Sequence, residues 1–207
     1  MRVKANLPVV PVYEITLHPR DNAMLLATHG RSIWIADLSV LEEWTPQVTA
    51  QEAFLFGIEP KIRWRETARG ASASNNFAGS SEPAGLKINY YLKAKPKGEV
   101  KVQIFRGDLM ISEIRGKAEP GLNSVLWNMN ARRERNEAEK KELQDRIRRM
   151  RERGVDPEQS SARGRGELDS AYVSFAAPDG DYTAVLLIDG RKLSAKATIL
   201  PDPGAVK

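Results

Sequence analysis

Cysteine is absent from the 207 residues, and histidine occurs only at His18 and His29. Without cysteine there is no disulfide framework, no thiolate metal set and no thiol nucleophile. Two histidines with no acidic cluster around them make a poor metal centre; both fall at strand-end turns, where they are expected to close turns. Long apolar runs are missing as well. The longest are short stretches such as Ala184 to Ile188, far below the ~18 residues of a membrane span. In the first twelve residues, Arg2, Lys4, Asn6, Pro8 and Pro11 leave no apolar core for a signal peptide. The nucleophile elbow, the phosphate-binding glycine loop and the His-Glu-x-x-His pattern are likewise absent. Gly164-Arg165-Gly166 neither follows a strand nor opens a helix, so it is no dinucleotide loop.

What is present is a globular composition, 41% hydrophobic and 29% charged. The net charge of +5 invites a nucleic-acid or acidic-surface reading. That charge is local. Residues 131–166 hold 12 basic and 8 acidic side chains, while the rest of the chain holds 20 and 19. The body is close to neutral, and one segment makes the protein basic.

Arg132 to Arg153 is rich in good helix formers and free of Gly and Pro, so a helix is expected there. Glu137–Lys141 and Glu142–Arg146 stand in the favourable acid-to-base i,i+4 order. Gly154 and Pro157 end the segment, and Leu143, Ile147 and Met150 form a short apolar stripe at helical spacing. Three residues are too few for a coiled coil spanning several heptads. A solvated helix, loosely docked through the stripe, is the expectation. Glu158 to Gly166, rich in Ser, Arg and Gly, is expected to be a mobile tail.

Elsewhere the pattern is strand-like. Val12–Leu17, Met24–Thr28 and Ser32–Ala36 are three short β-branched and aromatic runs separated by tight turns, which predicts an antiparallel meander. A unit of this size needs neighbours to bury its faces. Ser39–Gly85, with Pro46, Pro60, Pro83 and a loop at Gly70–Asn76, predicts an extended connector pinned by Phe54, Phe56 and Trp64. From Leu86 the strands resume, with Val100, Val102 and Ile104 at a period of two and a hairpin turn at Asp189-Gly190. Six or seven such strands predict a sandwich of immunoglobulin or fibronectin III type, interrupted by the charged helix.

Two blocks carry a family resemblance. Leu7–Asn22 followed by Ala27–Asp37 resembles the closing blade of bacterial sortilin-like, Asp-box (BNR-type) β-propeller proteins, often labelled glycosyl hydrolases. The likeness continues through Ala53–Phe56, Arg63–Arg65 and Glu82–Leu92. Gly121–Asn128 and Pro178–Gly190 are similar to an Ig-like domain of the flagellar hook-capping type. The resemblance implies a mainly β chain: a partial propeller blade over residues 1–44, an extended connector over 45–85, and an Ig-like sandwich over 86–200. A helical insertion fills 131–170 and a tail 201–207. It further implies an extracytoplasmic, bacterial setting and upstream blades in a longer parent chain, of which this sequence is expected to be the C-terminal portion.

The function expected on these grounds is a structural and binding module with a protein or glycan ligand and no cofactor. Asp21, Asp37, Glu42 and Glu43 are the carboxylates near the blade. Glycoside hydrolysis needs two held across a cleft, whereas strand-end carboxylates usually satisfy turns, so the alternative is an accessory part of a hydrolase whose active site lies on the absent blades. Trp34, Trp127, Tyr90 and Tyr182 lie inside strands and are expected in the core. Trp44 and Trp64, in the connector, are the more exposed aromatic pair or the cement between the two units. With Arg146, Arg149 and Arg153 they make the candidate binding surface. The second alternative is an anionic surface or nucleic acid held by helix 132–153, against which stand the six interleaved acids and the lack of a stacking platform.

Overall fold

The computed structural model describes residues 9–19, 22–64, 84–154 and 171–205. The loop expected at Gly70–Asn76, the tail at Glu158–Gly166, and Asp21 lie outside these residues. Among the described residues the protein is mainly β, 49% strand against 18% helix. Among the described residues its strands form four sheets, none of them closed.

The largest body is a sandwich of two sheets. One has the order β5 (Lys61–Ile62), β13 (Arg191–Leu200), β12 (Gly180–Ile188), β7 (Lys101–Arg106) and β8 (Leu109–Arg115). The other has the order β4 (Ala53–Leu55), β6 (Leu86–Leu92) and β9 (Gly121–Trp127). Strand alternation builds the core. Leu86, Ile88, Tyr90 and Leu92 point inward from β6, Val102 and Ile104 from β7, and Tyr182, Ala184, Leu186 and Ile188 from β12. Each large side chain buried this way contributes about 1.5–3 kcal/mol. Trp127 is fully buried, edge-on to Tyr182 at 5.2 Å, and its indole N–H donates to the Asn130 carbonyl at 2.9 Å. The hairpin β12–β13 turns on Asp189 and Gly190, both at positive φ, as a two-residue turn of this hand requires. Asp189 also accepts from the amides of Lys97 and Gly98, tying this turn to the one before β7.

The connector is more structured than its prolines predict. It holds α1 (Ser39–Glu43), α2 (Pro46–Ala50), β4 and β5. Thr45 caps α2 through its hydroxyl, and Pro46 fills the first helical position, where a missing N–H costs nothing. β4 pairs antiparallel with β6 and β5 pairs parallel with β13, so this segment adds an edge strand to each sheet.

Two further units adjoin the sandwich. The N-terminal meander is β1 (Val12–Leu17), β2 (Ala23–Thr28) and β3 (Ile33–Asp37), antiparallel in that order. The insertion between β9 and β12 is a ribbon of β10 (Asn130–Glu134) and β11 (Tyr172–Ala176) that carries α3 (Glu137–Glu152). The helix expected from Arg132 therefore starts five residues later. Residues 130–134 are held by pairing with β11, and Asn136 sets the start through a capping box: its side chain accepts from the Glu139 amide at 2.8 Å, and the Glu139 carboxylate accepts from the Asn136 amide at 3.0 Å.

Candidate interaction surfaces

The meander displays apolar side chains on two faces. Cross-strand partners share a face. Ile15, Leu26 and Trp34 are aligned on one, next to Leu17 and Met24. Leu25, Ala27, Ile33 and Ile35 occupy the other. Only Leu26 of these is buried; Ile15 is 62% exposed on one face and Ile35 72% on the other. Glu14 and Thr16 share that second face, so neither face is polar throughout, as the outer face of a sheet that ends in solvent would be.

The junction between the connector and the sandwich is a small cluster of Val40, Val48 and Phe56, with Trp44, Phe54 and Tyr91 packed on it. Trp44 stacks on Phe56 at 5.7 Å and meets Tyr91 edge-on at 5.4 Å. Trp64, by contrast, is 63% exposed. The structure does not bring these two tryptophans together as one platform: Trp44 is packed in the junction and Trp64 lies open beyond β5.

The carboxylates near the meander are engaged locally. Asp37 accepts from the Ser39 amide and hydroxyl and pairs with Lys87 at 3.8 Å. Glu43 accepts from the Gly57 amide at 2.9 Å. Glu42 lies in the first turn of α1. His29 meets Tyr13 edge-on at 5.2 Å, while the His18 amide donates to the Ala23 carbonyl. Among the described residues no group of three or more His, Asp or Glu could hold a metal ion. Nor is any helix there long and apolar enough to cross a membrane.

Sequence reasoning missed Arg63. Its backbone amide donates to the Leu200 carbonyl. Its guanidinium donates to the carbonyls of Ala177 and, at 2.6 Å, Met129. These carbonyls lie at the root of the ribbon, where Met129 takes a positive φ of 56° and accepts from the Ala177 amide. A residue of the connector thus clamps the neck of the insertion. No local pattern announces partners so distant in sequence.

The arm beyond that neck carries the remaining candidates, Arg146, Arg149 and Arg153. α3 buries no side chain completely; Leu143, Ile147 and Met150 are half-buried. A cleft of about 290 Å³ separates the helix from the ribbon, lined by Arg135, Glu139, Leu143, Arg146 and Val173 among others. A second hollow of about 320 Å³ is lined, among the described residues, by Arg146, Arg149, Met150 and Arg153, all on or capping α3. Glu139 takes a bidentate contact from Arg133 at 2.6 and 2.8 Å. That contact and the Asn136 amide hold its carboxyl down to about 2. Among the described residues the ion pairs within α3 are Glu137–Lys140 and Asp145–Arg148 at i,i+3 and Arg148–Glu152 at i,i+4; Glu137 pairs with Lys140 in place of the expected Lys141, and the expected Glu142–Arg146 pair is not among them. These surfaces combine exposed apolar side chains on the meander with a forked arginine and carboxylate contact on the arm. Compared with known proteins, the chain finds no matching family model, curated protein or solved structure.

Proposed function

We propose that the chain is a non-enzymatic binding and structural module: an Ig-like sandwich that carries a terminal blade of an extracytoplasmic sortilin-like β-propeller. The observation that carries this reading is the two-faced apolar meander, with Ile15 and Leu17 exposed on one side and Ile33 and Ile35 on the other. In a propeller each blade packs between two others, so a blade must be apolar on both faces. The Ig-like assignment draws support from Tyr182, near the start of β12, whose hydroxyl donates back to the Pro178 carbonyl. A tyrosine so placed at the corner before a central strand is a hallmark of such sandwiches. The ligand in this reading is a protein or glycan held by the assembled parent, not by this chain alone.

Limited proteolysis of the isolated chain tests the reading. Without its neighbours the meander is marginal, so thermolysin should cut within residues 9–44 and in the arm while a core of 86–128 and 171–200 persists. Protection of the meander equal to that of the sandwich would count against it. A glycan screen tests the hydrolase alternative: activity lost on Asp37→Asn or Glu43→Gln would overturn the non-enzymatic reading.

A further inference from the structure

The charge of α3 is segregated along its length. Residues 137–145 carry four acids and two lysines, whereas 146–153 carry five arginines and one glutamate. The first half is net negative and the second strongly positive. This order suits the helix dipole, but it also makes the helix complementary to itself when turned end for end.

The apolar stripe runs through the middle of this gradient. Leu143, Ile147 and Met150 have the four-then-three spacing of a helix-pairing seam and remain half-buried. α3 has only sparse contact with other elements among the described residues. Leu143 faces the cleft toward Val173, but the hollow at Met150 is bordered, among the described residues, only by arginines of the helix and its C-cap. Arg146, Arg151 and Arg153 carry no ion pair among the described residues, and neither does Glu142. A helix of 16 residues spans roughly 24 Å and is marginal in water without a packed face.

We propose that α3 is a homodimerisation element, pairing antiparallel with α3 of a second copy. A two-fold axis near Ile147 sets Ile147 against its symmetry mate and Leu143 against Met150 of the second copy. It places the acidic half of each helix against the basic half of the other. Such an interface is isologous and closes at two copies. Charges flanking the seam select the antiparallel direction, because a parallel pair would oppose five arginines to five arginines. The pairing goes beyond the module's role in its parent and uses a different surface from the meander.

Sedimentation of the full chain with two charge variants tests this. The acidic variant is Arg146→Glu, Arg149→Glu, Arg153→Glu; the basic variant is Glu142→Arg, Asp145→Arg. At about 50 mM salt and tens of micromolar protein, the wild type should move from 23.1 kDa toward twice that mass. Each variant alone should stay monomeric, and an equimolar mixture should regain the doubled mass. At about 1 M salt, where screening shortens to ~3 Å, the wild-type dimer should weaken. Circular dichroism confirms that each variant keeps its helix; if one does not, Ile147→Lys replaces it and should also abolish the dimer. A monomeric wild type at low salt overturns the proposal, including one that binds heparin as a monomer. Variants that dimerise as well as wild type overturn it too, and would place association on the apolar meander. A mixture that fails to recover overturns the antiparallel pairing.

Discussion

Replacing Arg63 by Met should loosen the neck of the insertion while leaving the sandwich core packed. Methionine keeps an unbranched stem and loses the fork that donates to the Met129 and Ala177 carbonyls. A hydrogen bond from a charged donor contributes about 1.5–3 kcal/mol. The site is half-buried and water can replace part of the interaction, so a total loss of about 2–4 kcal/mol is expected. For a urea dependence of ~2 kcal/mol per molar, the unfolding midpoint falls by about 1–2 M. Hydrogen exchange localises the effect, because the Ala177 amide bonded to Met129 should exchange much faster while the amides of β12 and β13 change only with the global stability. Arg63→Lys should recover little, since an ammonium cannot reach two carbonyls as a planar fork. A midpoint within about 0.3 M of wild type for Arg63→Met, or full recovery by lysine, would refute the clamp.

Other perturbations have equally definite outcomes. Trp127→Ala should cost about 3–5 kcal/mol in chemical unfolding, because it empties a fully buried site and leaves the Asn130 carbonyl without its donor. Gly85→Ala should lower the thermal midpoint, at about 1–3 kcal/mol, since Gly85 sits at φ 147° and an added Cβ would lie 2.6 Å from the Trp127 carbonyl oxygen. Asn136→Ala should cost the helix about 1 kcal/mol, read as lost helical circular dichroism with the sandwich intact. Glu139 makes α3 acid-sensitive. Its folded-state carboxyl titrates near 2, below its ordinary value of 4.5, so its contribution is full above about 4.5 and is lost as pH falls toward 2. Glu139→Gln should remove that part of the acid transition, and an unchanged transition would show that the Arg133–Glu139 pair is irrelevant to the helix.

The parts legible in the sequence are those where one strand or helix declares its own environment. Val102 and Ile104 recur at a period of two, and that alternation is the burial observed. Charge density and helix propensity likewise marked α3. The obscured parts depend on pairing over long separations. β4 and β5 are three and two residues long, too short for any period, and exist because β6 and β13 offer them edges. Asn130–Glu134 has the charge of the helix that follows, and only its register with Tyr172–Ala176 makes it a strand. Two local signals were nonetheless present: Thr45-Pro46 opening α2, and Asn136 with Glu139 three residues on, which fixes where α3 begins. For the candidate surfaces, the two-sided apolar character of the meander could be read from alternation alone, because neither set of alternate positions is polar throughout. Trp44 could not be placed, since it and its partners Phe56 and Tyr91 come from three different segments of chain folded together.

The kind of partner each surface fits follows from how its apolar area is distributed. The sandwich packs the inner faces of its two sheets on each other, so substitution of Ile104 or Leu186 there acts on stability. The meander has apolar residues on both faces, so a single flat partner would leave one face in water, and two neighbouring sheets are needed to satisfy it. α3 has one stripe and a charge gradient that reverses along it, and a single symmetric partner satisfies both at once. The perturbations therefore separate. Ile15→Ser with Ile35→Ser should leave the sandwich's unfolding midpoint within about 0.5 kcal/mol of wild type and reduce binding of an apolar dye. Charge reversal in α3 should leave dye binding unchanged and alter only mass and salt dependence. If the two kinds of substitution moved both readouts together, the meander and the arm would be one surface, and assigning them separate partners would be wrong.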